Sequence, residues 1–237
     1  MRQSVHALAV ASLFLGQPAT LLAAADPMPG SADRTRLEVA AERAGLRREV
    51  LSLAVEAHAR VIAGGLTASP RLTVIDYSLA SRQPRLWVLD LARGEVLAHE
   101  LVAHGRGTGD DTARSFSNRP GSLQSSLGTF VTGKTYRGRH GLALRLRGLD
   151  PGLNDRAEAR AIVVHGADYV SLSAIERLGR LGRSRGCPAL SPGAARRVIE
   201  LIRDGTVVFA YHPSAALERA LRGRVSRDPR PGTISWR

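Results

Sequence analysis

A chain of 237 residues, 43% hydrophobic and 23% charged, is long and apolar enough for one substantial domain with its own core. Its formal net charge of +13, carried almost wholly by arginine with Lys134 the sole lysine, suits an anionic polymer partner. With only four Phe, four Tyr and two Trp it lacks the stacking platforms of a single-strand nucleic-acid binder, so no nucleic-acid partner is expected. At the N-terminus, Arg2 precedes an apolar run from Ala7 to Leu15, and Ala23-Ala24-Ala25 stands before Asp26 and Pro27. That is the pattern of a cleaved secretory leader over residues 1–25, and the run is too short to span a bilayer. The expectation is export to the periplasm or cell wall, with no membrane span elsewhere.

Residues 26–70 form a helical segment by their spacing: Leu46, Val50, Leu53, Ala54 and Ala57 recur at helical intervals, and Gly64-Gly65 ends the pattern. His58 on this segment reads as packed or solvated. From Arg71 the period changes. Strands are expected at 72–79 and 85–91, with a hairpin turn over 92–95 into a third at 96–105. Residues 105–126 are a long polar loop, and their glycines lack the Gly-Lys-Ser/Thr or G-x-G-x-x-G context that cradles phosphate. Strands follow at 127–133, 141–148 and 161–166. Ser173 with Glu176 makes a capping box, and Ser191-Pro192 starts a second helix that ends before Gly205. A strand at 206–212 completes a domain over 71–213, and residues 214–237 read as a basic tail. The fold class is mainly β (α+β), with two short helices near the only cysteine.

That cysteine, Cys187, cannot form an internal disulfide, and an exported chain seldom keeps a lone thiol without a use. His165 ends an apolar strand 22 residues earlier, and a strand–helix–loop excursion of that length returns one side chain to the other. Two readings stand side by side. Cys187 is a buried small hydrophobe, or it is a nucleophile activated by His165, by Arg183 and Arg185, and by the start of the 192–204 helix. Backbone N–H groups at Gly186 suit an oxyanion. No H-E-x-x-H or comparable spacing supports a metal, and no cofactor is expected.

Residues 162–171, IVVHGADYVS, followed by 179–190, GRLGRSRGCPAL, resemble the catalytic core of the murein L,D-transpeptidases. His165-Gly166 and Ser184-x-Gly186-Cys187 match that family's His-Gly strand end and its Ser/Thr-His-Gly-Cys motif, and the likeness runs from about Leu72 to Pro213. The sequence departs from it at Arg185, where the family has histidine, and at Ala189, where a polar residue is frequent. The resemblance implies a β-sandwich or barrel and a Cys187 thioester formed on peptidoglycan stem peptides, with His165 as base and the Gly166 carbonyl orienting its ring. Gly186 and Cys187 would hold the oxyanion. The basic run 177–185, with Arg183, Ser184 and Arg185, either binds carboxylates of a stem peptide or is a solvated helix face, and its proximity to Cys187 favours substrate binding. The alternative product is hydrolytic, an L,D-carboxypeptidase or amide hydrolase using the same pair. His104, ending a strand before the polar loop, is a further candidate for the cleft; His140 reads as a surface residue, and His99 and His212 as packed. Asp168 and Tyr169 either shape the pocket or satisfy a turn. Oligomeric state is not legible.

Overall fold

The computed structural model describes residues 31–138 and 141–222; the leader pattern, His140 and the last fifteen positions, 223–237, lie outside them. The helical segment is two helices, α1 (Ser31–Arg43) and α2 (Arg48–Ala63). Gly45 separates them at φ 77, a conformation that L side chains rarely adopt. Val50, Leu51, Ala54, Ala57, His58 and Val61 form the buried stripe of α2. The pair is fastened to the sheet by polar contacts as well: Trp87 Nε1 donates to the Ala44 carbonyl at 2.8 Å, and Arg47 pairs with buried Asp76 at 2.8 Å.

Eight strands make one mixed sheet: β1 (Arg71–Asp76), β2 (Leu86–Asp90), β3 (Glu95–Glu100), β4 (Gly128–Gly138), β5 (Gly141–Gly148), β6 (Val163–Gly166), β7 (Ala189–Leu190) and β8 (Val207–Tyr211). Their order is β3-β2-β1-β8-β4-β5-β6-β7, with β1/β8 and β6/β7 parallel and the other pairs antiparallel. Just past β3, Ala103 bridges Ala189 of β7, so the two edges meet and the sheet forms a nearly closed barrel. Helices α3 (Leu172–Leu178), α4 (Pro192–Ile202) and α5 (Ala215–Arg222) complete the described fold. The fold is mainly β with helices, the class read from the sequence.

Local signals fare unevenly. Ser191 caps α4 by accepting from Ala194 N, with Pro192 in the first turn, and α4 buries Ala194, Ala195, Val198, Ile199 and Ile202. The capping box at Ser173 is displaced. Val170 is buried and its N–H closes a turn on the Ala167 carbonyl, so the extended cap geometry falls at Ser171, which accepts from Ala174 N. Ser173 therefore lies inside α3 and bonds the Ser171 hydroxyl at 3.1 Å. Beyond residue 213 the chain first forms α5, whose Leu217 is buried.

Candidate active site

β6 is four residues long and buried throughout, because it runs between β5 and β7. Its register pairs His165 with Ala143 on one side and with Ala189 on the other. The excursion after β6 passes through α3 and returns as the loop 179–188, so Cys187 stands two residues before the Ala189 partner of His165. Both side chains line a cavity of about 520 Å³, walled by Tyr136 and Ala143 of the β4–β5 hairpin, by Arg160 and by Tyr169. The strand–helix–loop return thus brings the predicted pair to one place.

His165 Nδ1 lies 2.9 Å from the Gly166 carbonyl. A carbonyl only accepts, so Nδ1 carries a proton, which in the neutral ring leaves the lone pair on Nε2, the tautomer a base requires. Cys187 is partly buried against the core, and its thiol donates weakly to the Ala161 carbonyl at 3.7 Å. Burial pushes the thiol up; the backbone N–H of Val163 and the charge of Arg160 pull it back.

The turn that carries Cys187 is built tightly. Gly186 has φ 128, and a Cβ there would stand 2.9 Å from the Gln124 carbonyl and 3.1 Å from Ile162. The Ser184 hydroxyl donates to the Cys187 carbonyl at 2.6 Å and accepts from Gly186 N at 3.1 Å. Ser125, from the polar loop, accepts from Gly105 N and donates to the Gly186 carbonyl, each at 3.0 Å. The long loop read from the sequence is therefore the scaffold behind the thiol.

Several expectations change here. Ser184, expected to bind substrate, has its hydroxyl committed to the turn and acts as its brace. The Gly186 N–H, expected to face an oxyanion, is likewise held by Ser184. Arg183 reaches the cavity wall but spends its guanidinium on Asp110 at 2.8 Å and on the Gly109 carbonyl at 2.9 Å. Arg185 is exposed at the cavity with no ion pair among the described residues. Pro192, in the first turn of α4, is not among the residues lining the thiol's cavity and instead lines a second one of about 410 Å³ with Gly166, Arg137 and Glu200.

His104 is not in the cleft. It is fully buried, its Nδ1 accepting from Arg85 Nη2 at 2.7 Å and its Nε2 donating to the Gly109 carbonyl at 3.3 Å. Burial first, and the Arg85 charge second, pull it down to about 4. Of the remaining described histidines, His58 is buried and donates to the Ser69 carbonyl and His212 is half-buried against Phe116, whereas His99, expected to be packed, stacks on Trp87 but stays exposed. Tyr169 lines the cavity with its hydroxyl pushed up to about 12 by burial, whereas Asp168 is exposed in the turn.

Arg160 was not singled out from the sequence. It sits in an arginine-rich run, 156–160, where no spacing separates it from a solvated residue. Among the described residues no group of three or more His, Cys, Asp or Glu is arranged to hold a metal ion, and no helix is long and apolar enough to cross a membrane.

A family model described as the L,D-transpeptidase catalytic domain matches residues 42–211. No curated protein matches. Among solved structures, an L,D-transpeptidase from Mycobacterium smegmatis is 18% identical with a TM-score of 0.38, covering 60% of this chain and 58% of its own. The helical cell shape determining protein of Campylobacter jejuni is 16% identical at a TM-score of 0.40, covering 61% and 47%. An L,D-transpeptidase from Xylanimonas cellulosilytica is 20% identical at 0.35, covering 60% and 61%. The chain thus spans less than two thirds of the length of each of these solved proteins.

Proposed function

The chain belongs to the L,D-transpeptidase catalytic-domain family, and from that premise we propose that it is an exported cysteine enzyme that exchanges peptide bonds in peptidoglycan, with Cys187 as nucleophile and His165 as base. One observation carries the reading: Cys187 and His165 line the same cavity, and the Gly166 carbonyl holds His165 in the tautomer that can take a proton at Nε2.

The chemistry follows from that geometry. Cys187 Sγ attacks the carbonyl carbon between the L-centre of the third stem residue and the D-residue after it, and the thiol proton passes to His165 Nε2. With the Gly186 N–H engaged by Ser184, the oxyanion falls to the Cys187 N–H. The intermediate collapses with cleavage of the C–N bond, His165 returns the proton to the leaving amine, and a thioester remains. An acceptor amine then attacks the thioester, gives its proton to His165 and releases the thiol as a new cross-link forms. Water in place of the amine gives a trimmed peptide.

Charge supports an anionic substrate. No Asp or Glu is among the described residues lining the cavity, whereas Arg160 and Arg185 face it without a carboxylate partner. Stem peptides carry free carboxylates that such a wall attracts. The leader pattern over residues 1–25 supports delivery to the periplasm or wall.

The test incubates disaccharide-tetrapeptide with the wild type and with Cys187→Ala, and reads products by mass spectrometry. Dimers from the wild type alone support transpeptidation, and tripeptide without dimers replaces it with the hydrolytic reaction. Equal product from both proteins would remove Cys187 from the mechanism.

A further inference from the structure

The cavity holds a fixed cation that the reaction as written does not use. Arg160 lies in the turn before β6, and its guanidinium is clamped by the polar loop. Nη1 donates to the Ser117 carbonyl and to the Ser126 hydroxyl, each at 2.6 Å; Nη2 donates to the Gln124 carbonyl at 2.5 Å and to the Ser122 hydroxyl at 3.3 Å. Every one of these acceptors is neutral. No Asp or Glu among the described residues pairs with Arg160, so its charge is fixed in place but not neutralised.

Its placement is equally specific. A Cβ on Gly186 would lie 3.3 Å from Arg160 Nη2, which packs the guanidinium against the residue just before the nucleophile. The same side chain lines the cavity with Cys187 and His165. We propose that Arg160 is a positioning residue for the nucleophile, supplying from the turn before β6, where the polar loop clamps it, the fixed positive charge against which Cys187 ionises.

The other groups facing the thiol do not fill this role. Arg183, on the thiol's own loop, is paired with Asp110. Arg185 is exposed, where water screens its charge. Tyr169 after β6, and Tyr77 on β1's end, are phenols raised to about 12 and stay neutral. Tyr136 on β4 is occupied by Arg145, whose guanidinium stacks 5.0 Å from its ring centre. His165 remains as the proton acceptor. Burial raises the Cys187 thiol overall; the Val163 backbone and then the Arg160 charge oppose that rise, and Cys187 in turn opposes the lowering of Arg160 by its own burial. The same clamp ties residues 117–126 across Gly186, so the charge and the shape of the nucleophile turn come from one side chain.

The meaning of this assignment rests on Cys187 being the nucleophile, but its test needs no substrate. Cys187 is the only cysteine, so the mass gained by the intact protein with iodoacetamide reports one thiol. Alkylation rates are measured from about pH 5 to about pH 10 for the wild type, Arg160→Gln, Arg160→Lys and Arg185→Gln. Arg160→Gln keeps neutral donors for the loop and removes the charge. Its apparent thiol pKa should rise by about one unit, slowing alkylation near neutrality about tenfold. Arg160→Lys should restore most of the rate, and Arg185→Gln should change it little.

Coincident profiles for the wild type and Arg160→Gln would overturn the proposal. Equal displacement in Arg160→Gln and Arg160→Lys would do so too, since that is the mark of a packing role alone. If Arg160→Gln fails to fold, Arg160→Lys decides: a profile within about half a unit of the wild type supports the charge, and a rise of about one unit refutes it. Turnover by Cys187→Ala would remove the nucleophile assignment and leave this titration standing, so the two failures read separately.

Discussion

Acid should undo the buried Arg85–His104 contact and take a definite share of the stability with it. Both side chains are fully buried. Arg85 has no carboxylate; it donates to the Val102 carbonyl at 3.1 and 2.9 Å, to the Leu79 carbonyl at 2.7 Å, and to His104 Nδ1 at 2.7 Å. Protonated His104 would have to donate where it now accepts, beside a cation that cannot leave. The folded state therefore favours neutral His104 and lowers it from 6.5 to about 4. Above pH 6.5 neither state binds the proton and stability is flat from this source; as pH falls the unfolded chain takes the proton first, and stability is lost until about pH 4. At about 1.4 kcal/mol per pH unit the loss is about 3 kcal/mol. His58 and His212 are shifted the same way by burial, so the wild type alone does not isolate His104. The comparison with His104→Gln does, because a glutamine accepts from Arg85 without titrating. Urea unfolding at steps between pH 7 and pH 4 should show the wild type losing about 3 kcal/mol more than the variant. Parallel curves across that range would refute the argument, since every other titrating group is common to both proteins.

Two further substitutions probe the nucleophile turn. Ser184→Ala removes the brace on the Cys187 carbonyl and Gly186 N–H; it should cost about 1–3 kcal/mol of stability by urea unfolding and reduce turnover more than binding, read as kcat against KM. Gly186→Ala forces a side chain onto φ 128 and within 2.9 Å of the Gln124 carbonyl. The strain of about 1–3 kcal/mol should lower the melting temperature and the Cys187 alkylation rate together, whereas Gly121→Ala, at φ 74 but in open space, should leave the alkylation rate unchanged.

What was legible in the sequence was what chemistry writes locally. Ser191-Pro192 names the start of α4 because a hydroxyl and a ring fit those two positions, and Gly64-Gly65 stops α2 for a similarly local reason. The alternation of Leu142, Leu144 and Leu146 gave β5. β7 was missed: a two-residue strand has no period, and it exists only because β6 and the Ala103 bridge flank it. The place of His104 is hidden for the same reason. A histidine ending a strand before a polar loop looks like a cleft residue until Arg85, nineteen positions away, turns to meet it.

The charges around the thiol make the limit sharper. Arg160, Arg183 and Arg185 are equivalent in composition and all line one cavity, yet each carries a different electrostatic weight. Arg183 is offset by Asp110, Arg185 is screened by water, and Arg160 is fixed against neutral acceptors. A charge acts on a buried neighbour in proportion to what it lacks: a counter-ion and a hydration shell. Proximity in sequence pointed to the two arginines beside Cys187, while the partner rule selects the one 27 positions before it. That rule depends on how residues 117–126 fold back over the turn before β6, which only the folded chain specifies.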